Sequence, residues 1–481
     1  VSAHNEGAGV TLLHTNDLHS HLEQTARIAA YIKSVRSKSD PSSLLVVDCG
    51  DFLDRARPET EGTDGAVNRR LMETIGYDAV VLGNNEGLTY TYEQLDRYYS
   101  PLTAPVVCAN FKSHDPEASL SWLVPSLTVR RSGLKIGLIG LTAAFGAYYD
   151  HLGWKASDPL EALRQWTVKL RPEVDVLIVL SHVGLKMDET IAQSIDGIDL
   201  ILGGHTHHLL ESPLRVRNTV LCAAGKFGTH IGHLHIAKDE QTGKINITGG
   251  CLSMDDRETD KEAEAVIAAG REQAARRMSR VVARLEEVLP QSLHEESRLP
   301  TLLATAIRHR TGAEIGLVNS GQMLGDLPEG DVTEAVVHAI CPSPINPCTL
   351  RLTGEELLLT LEESLQISFR ELEIRGFGFR GKWLGGLCLD GMEVDADLSL
   401  PEGSRITGAR VNGERLVKER EYIVGTLDMF TFGVGYVRLK NGREPSYFLP
   451  EFIRDVLSEA LRNKEWIEGS RVRRWNVTNG R

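Results

Sequence analysis

IDLILGGHTHH, residues 198–208, is the stretch from which the rest of the chain can be read. Residues 198–202 form an apolar run of the kind that makes a buried parallel strand, and Gly203 and Gly204 then let the backbone turn sharply. His205 and His207 stand two positions apart at the mouth of that strand. Side chains two apart on an extended chain point the same way, so both imidazoles are expected to face one metal centre. Taken alone, a His-x-His pair is equally well explained as part of a surface loop. Four further apolar runs end in the same manner, and the repetition carries the argument.

VTLLHT, residues 10–15, reads as a strand that delivers Asp17 and His19, again two apart, before a helix over 22–37. LLVV at 44–47 delivers Asp51 behind Gly50. A helix over 65–76 precedes AVVL at 79–82, which runs into GNNEG at 83–87 and offers Asn84. After a strand at 106–110, KIGLIGL at 135–141 starts the second half of the sheet. A helix over 159–170 and a strand over 174–180 then lead to Ser181-His182. Strands near Val220, at 230–236 and at 245–248 are expected to be antiparallel and to close the domain. In isolation Asp17 reads as a helix cap, residues 83–87 as a turn and His182 as a structural imidazole. Together they stand beyond the carboxyl ends of five strands, where open α/β sheets build their sites. Two carboxylates, one amide oxygen and four imidazoles suit Mn²⁺, Zn²⁺, Fe or Co²⁺ better than Mg²⁺ or Ca²⁺. Seven ligands are too many for one ion and right for two that share a carboxylate.

The 481 residues are too many for one compact core and call for at least two domains. A formal charge of −13 argues against a protein that holds nucleic acid by bulk charge, although bound cations can reverse the sign locally. No apolar run reaches the length of about 18 residues that a membrane span needs. Residues 1–7 lack the basic and apolar segments of a signal peptide, but the chain opens on Val1, so removal of a leader would be compatible with it. The seven cysteines sit mostly in apolar contexts without zinc-finger spacing. They read as buried thiols of a cytoplasmic protein, or of an exported one if a leader has been removed.

Residues 255–288 are charged, Ala-rich and Pro-free, and are expected to form one long helix at the domain junction. Beyond it, a helix over 299–311 and a strand over 315–318 lead to Asn319-Ser320-Gly321. Thr353 and Glu356 form a capping box for a helix reaching Leu365, and RGFGFRGKW at 375–383 suits a flexible binding loop.

HTNDLHSH, DCGDF, GNNEG, SHVG and GGHTHH, in that order, resemble the motifs of the calcineurin-like metallophosphoesterase superfamily. With the second domain, the chain is similar to the two-domain 5′-nucleotidases, the UshA-like proteins, and through GNNEG to a YunD-like subgroup of them. The resemblance implies an α/β fold: a four-layer αββα sandwich over 9–255, a linker helix over 256–290 and a smaller α+β domain over 291–470. It implies that Asp17, His19, Asp51 and His207 hold one ion, that Asp51, Asn84, His182 and His205 hold the other, and that Asp51 bridges. Two such ions generate a hydroxide and clamp an in-line displacement, so no protein nucleophile is needed. The chain has no G-x-S-x-G elbow. The substrate is expected between the domains, with Asn319, Gly321 and Phe379 on the second-domain side.

Several positions depart from the family. Its Gly-Asn-His-Glu-x-Asp has Asn85 in place of the catalytic histidine and Leu88 in place of the aspartate. Its Asn-x-Gly-x-x-Arg ends at Leu324, and its base-stacking phenylalanines fall at Ser343 and Asp428, leaving Phe379, Phe430 or Phe432 as substitutes. The ribose-binding aspartate falls near Val434. The expected function is hydrolysis of phosphate monoesters, nucleotides or a related small ester. The alternatives are a relative that keeps the metal or ligand site but has lost turnover, and a phosphodiesterase.

Overall fold

The computed structural model describes residues 9–118 and 120–479. The chain divides into two compact units, Val1–Ala274 and Ala275–Arg481.

In the first unit, strands Leu44–Asp48 and Val176–His182 are buried at every position, as parallel strands covered on both faces must be. Each lies inside a separate mixed sheet. One sheet runs Ile245–Ser253, His230–Lys238, Val10–Thr15, Leu44–Asp48, Ala79–Val80, Val106–Val107, Leu123–Val124. The other runs Leu214–Val216, Thr219–Ala223, Leu200–Gly203, Val176–His182, Leu134–Thr142, Ser126–Arg131. Their inner faces form one apolar core, in which Leu12, Val47 and Val107 meet Leu138, Ile178 and Leu202. On the outer face of the second sheet, Ile139, Val179 and Ile201 pack with Leu163 and Ile191 of helices Pro159–Leu170 and Leu185–Ser194. Helix Leu22–Lys38 connects the parallel strands Val10–Thr15 and Leu44–Asp48, so it covers the outer face of the first sheet. The result is a helix–sheet–sheet–helix sandwich with the parallel strands at its centre.

The sheets approach each other closely at Gly140. A Cβ there would lie 1.7 Å from the Val107 carbonyl oxygen, and the Gly140 carbonyl accepts the Ala109 amide at 2.8 Å. Gly140→Ala is therefore expected to push the sheets apart and to cost about 1–3 kcal/mol, typical of overpacking. A calorimetric scan should show the melting temperature several degrees lower; an unchanged transition would mean that the sheets tolerate the added methyl.

Two expectations fail, one in this unit and one at the junction. Strand Thr219–Ala223 is parallel to Leu200–Gly203, not antiparallel, so its carboxyl end points the same way as those of its neighbours. The junction is not one helix: Lys261–Met278 is helical, and Val281–Leu285 is a strand paired antiparallel with Gly330–Thr333. The β-branched pair Val281-Val282 finds a strand partner, and tertiary pairing overrides the helical propensity of its flanks.

The second unit is α+β. A five-stranded sheet runs Leu387–Asp390, Ile315–Asn319, Glu421–Leu427, Pro347–Thr353, Arg443–Tyr447, and helix Arg298–Thr311 buries an apolar face in the same core. A four-stranded sheet of Glu414–Arg415, Ile406–Val411, Met392–Asp397 and Trp475–Thr478 completes it. The capping box forms as expected: Thr353 Oγ1 accepts the Glu356 amide at 3.2 Å, and Glu356 accepts the Thr353 amide at 2.7 Å. No helix among the described residues is long and apolar enough to cross a membrane.

Candidate metal centre

His182 is the last residue of its strand, whereas the other side chains of interest lie beyond their strand ends, where tight turns aim most of them. Asp17, His19, Asp51, His205 and His207 all have positive φ, between 46° and 73°. This left-handed backbone is costly for residues with a Cβ and is found where surrounding contacts enforce it. The i, i+2 pairs therefore converge through turns and not, as the strand alternation predicts, along an extended chain. Backbone bonds fix the turns: the Asp17 amide donates to Gly50 O, His19 to Asp51 O and Ser20 to Phe52 O, all at 2.9–3.0 Å. The glycines admit close approach. A Cβ at Gly83 would lie 2.1 Å from the Asp51 nitrogen, and one at Gly204 3.0 Å from His182 Nδ1.

All seven predicted ligand residues meet at this end of the sheets. Asp17, His19 and His207 form one group, with His19 Nε2 3.6 Å and His207 Nε2 3.5 Å from Asp17 Oδ1, and the two Nε2 atoms 3.0 Å apart. Asp17, Asp51 and His182 form an overlapping group. The two oxygens of Asp51 face different partners: Oδ1 lies 3.3 Å from His182 Nε2, and Oδ2 lies 3.8 Å from His19 Nε2. Asn84 Oδ1 stands 3.2 Å from His182 Nε2 and 2.7 Å from His205 Nδ1. The donor set fits divalent cations: nitrogen and oxygen donors gather in two groups that overlap at Asp17.

The carboxylates and imidazoles of the centre offset one another's charge. Burial pushes the Asp17 carboxyl up, but the hydrogen-bonding His19 and the charge of His182 outweigh it and hold Asp17 below the usual carboxylate range. Burial likewise opposes a charged His182, yet Asp51 and Asp17 push its pKa up to about 10. Burial takes His207 down to about 4, which leaves its imidazole neutral. His182 Nδ1 donates to the Cys49 carbonyl at 2.7 Å, which turns Nε2 toward Asp51 and Asn84. Behind this layer burial pushes three carboxyls up: Asp48 to about 8, Asp188 to about 7 and Glu86 to about 7. Glu86 accepts the amides of Asp51 at 3.2 Å and Leu53 at 3.1 Å, so it holds the turn that presents Asp51.

Asn85 is turned toward His19. Its amide nitrogen lies 2.9 Å from His19 Nδ1 and donates to Leu53 O at 3.1 Å, while its backbone N–H donates to Asp51 Oδ1 at 2.8 Å.

Residues of the centre that sequence reading overlooks lie on the loop after strand Thr219–Ala223. Phe227, at φ 63°, stacks on His21 with ring centroids 4.1 Å apart and stands 5.9 Å from His19 and 6.5 Å from His207. The signal was the Gly225-Lys226-Phe227-Gly228 segment at a carboxyl end, concealed by the antiparallel reading of that strand.

In the second unit the substrate-side expectations fare differently. Phe379 is 3 % exposed and belongs to the apolar core, and Phe430 is fully buried, so neither offers an open stacking face. Phe377 is exposed, with its ring 5.9 Å from that of Phe432. Asn319 is buried and donates to Leu384 O at 2.7 Å, and a Cβ at Gly321 would lie 1.9 Å from Trp383 O. Both hold the 319–322 turn against the 383–384 segment.

Comparison with known proteins agrees with this architecture. The calcineurin-like phosphoesterase family matches residues 10–209, and the 5′-nucleotidase C-terminal domain family matches residues 281–437. The chain is 37 % identical over 456 residues to the uncharacterized metallophosphoesterase YunD of Bacillus subtilis (strain 168), covering 94 % of this chain and 98 % of that one. Among solved structures, a 5′-nucleotidase precursor from Thermus thermophilus is similar with a TM-score of 0.61 at 24 % identity, over 98 % of this chain and 100 % of that one. The NAD nucleotidase of Haemophilus influenzae gives 0.69 at 18 % identity, over 98 % and 99 %. The ligand groups at the strand ends suit the divalent metals that calcineurin-like metallophosphoesterases use. The chain belongs to the metallophosphoesterase family that joins a calcineurin-like phosphoesterase domain to a 5′-nucleotidase C-terminal domain, and it is a phosphoester hydrolase.

Proposed function

We propose that the protein hydrolyses small phosphate esters, nucleotides or close relatives of them, at a dinuclear centre. Asp17, His19, Asp51 and His207 hold one ion, and Asp51, Asn84, His182 and His205 hold the second. The observation that carries this reading is Asp51, whose Oδ1 and Oδ2 face different imidazoles, at 3.3 and 3.8 Å. The mixed nitrogen and oxygen donors favour Mn²⁺, Zn²⁺, Co²⁺ or Fe. When bound, such ions supply the Lewis-acid charge that polarises a phosphoryl oxygen and makes water nucleophilic near neutral pH.

The chain's own residues do the rest. The His182 bond to Cys49 O and the Glu86 bonds to the 51–53 turn hold the ligands in place before any substrate arrives. Phe227 stands beside the His19 and His207 rings, 5.9 and 6.5 Å between centroids. Asn85 takes no part as an acid, since an amide gives up no proton near neutral pH. The substrate preference is therefore for leaving groups that need no proton.

The test is turnover of an aryl phosphate, AMP, ADP and a bis-aryl diester by Mn²⁺-loaded protein, with and without a chelator. Aryl phosphate and ADP are expected to be cleaved, the diester and AMP to be cleaved slowly, and chelation to abolish all turnover. Metal-loaded protein that cleaves none of the four would make it a binding protein; preference for the diester would make it a phosphodiesterase.

A further inference from the structure

Asn85 touches a ligand residue on each side of the centre. Its side-chain nitrogen lies 2.9 Å from His19 Nδ1, Asn84 Nδ2 donates to its Oδ1 at a longer 3.4 Å, and its backbone N–H donates to Asp51 Oδ1 at 2.8 Å. The Thr89 hydroxyl, one turn along helix Asn84–Thr89, donates to its backbone carbonyl. The tip of the side chain is thereby held against the outer edge of the His19 ring. The inner edge of that ring faces the centre: His19 Nε2 lies 3.6 Å from Asp17 Oδ1, 3.8 Å from Asp51 Oδ2 and 3.0 Å from His207 Nε2.

An imidazole that gives its Nε2 lone pair to a cation keeps its proton on Nδ1. His19 is buried, so that N–H needs an acceptor. Among the described residues, Asn85 is the one hydrogen-bond neighbour of His19 Nδ1. With its NH₂ turned that way, Asn85 donates to Leu53 O at 3.1 Å and suits a ring that carries its proton on Nε2. A half-turn of the amide exchanges oxygen and nitrogen at nearly the same positions. Oδ1 then accepts His19 Nδ1–H, and the Leu53 bond is given up.

We infer that Asn85 is a positioning residue for the first ion: its amide oxygen holds His19 Nδ1–H and so keeps Nε2 directed at the cation shared with Asp17 and His207. This rests on the dinuclear reading above. Where the family resemblance puts a histidine that transfers a proton, this chain has a side chain that transfers none and still offers an acceptor to a ligand ring. A partner of that kind on the far nitrogen fixes the orientation of the ring and raises its basicity, and its loss costs about 10–100-fold in metal affinity. The longer contact with Asn84 makes the second ion much less sensitive to the same residue.

The test is calorimetric titration of Mn²⁺ into chelator-stripped full-length protein, in the parent, Asn85→Ala, Asn85→Asp, His207→Ala and His207→Ala with Asn85→Ala. Asn85→Ala should bind one of the two ions about 10–100-fold more weakly and the other within about twofold of the parent. Asn85→Asp, which keeps an acceptor and has no donor, should bind both ions at least as tightly as the parent does. In the His207→Ala background, where the first ion is already lost, Asn85→Ala should change nothing further, which assigns its effect to the side of His19. Equal weakening at both ions, no weakening at either, Asn85→Asp as weak as Asn85→Ala, or a further loss in the His207→Ala background would overturn the proposal. A parent that takes up fewer than two ions sinks the dinuclear reading itself, before any variant is compared.

Discussion

Asp51→Asn is expected to empty both halves of the centre and to lower turnover of an aryl phosphate by about 10³-fold or more, since removal of even one stabilising donor at a transition state costs about 10²–10³-fold. The substitution is nearly isosteric, and the backbone bonds that shape the 50–53 turn do not involve the Asp51 side chain, apart from the Asn85 amide at 2.8 Å. What changes is charge and one donor atom. One carboxylate oxygen becomes an NH₂ that repels a cation, and the other loses its charge, so the dinuclear assignment predicts that neither half keeps its ion. His207→Ala, by contrast, removes a partly exposed ligand from one side only, and should leave the other half filled. Elemental analysis of the two purified variants separates them. Asp51→Asn protein that retains both ions would remove Asp51 from the bridging position.

The second large effect concerns Asn85. A positioned general acid contributes about 10²–10⁴-fold, so kcat of the parent protein should fall steeply as leaving-group pKa rises, with AMP behind an aryl phosphate by about 10²-fold or more. Asn85 and Leu88 lie three residues apart on helix Asn84–Thr89 and share a face. Asn85→His alone should recover part of the AMP activity. Asn85→His with Leu88→Asp should recover more, because the carboxylate then orients the ring. The Asn85 contact with His19 sets a cost on the exchange, since that imidazole loses its neighbour at 2.9 Å. A flat dependence on leaving-group pKa, with AMP as fast as an aryl phosphate, would show that another group donates the proton. His21, stacked on Phe227, and His208, 2.9 Å from Thr206 Oγ1, are then the residues to replace in single-turnover experiments.

Residue type and position at a strand's carboxyl end suffice to pick out Asp17, His19, Asp51, Asn84, His182, His205 and His207 as neighbours, because the parallel strands carry them to one end of the sandwich. The reason for their convergence is less legible. Alternation along a strand predicts it for the two i, i+2 pairs, yet left-handed turns achieve it, and a positive φ at Asp17 or His205 leaves no mark in the sequence. Strand direction is the other blind spot. The run at Thr219–Ala223 is equally compatible with either direction, and only its parallel pairing with Leu200–Gly203 brings the loop with Phe227 to the end where the histidines gather. Val281–Leu285 escapes for a similar reason, since its partner Gly330–Thr333 is distant in sequence. In the second unit, Phe379 reads as a loop aromatic among glycines, but its neighbours fold it into the core and leave Phe377 outside.

The most direct test of the dinuclear centre is anomalous diffraction from crystals of the Mn²⁺-loaded protein. Two peaks per chain are expected, one on each side of the Asp51 carboxylate, the first within coordination distance of Asp17, His19 and His207 and the second within reach of Asn84, His182 and His205. A single peak, or peaks that leave Asp51 uncoordinated, would contradict it.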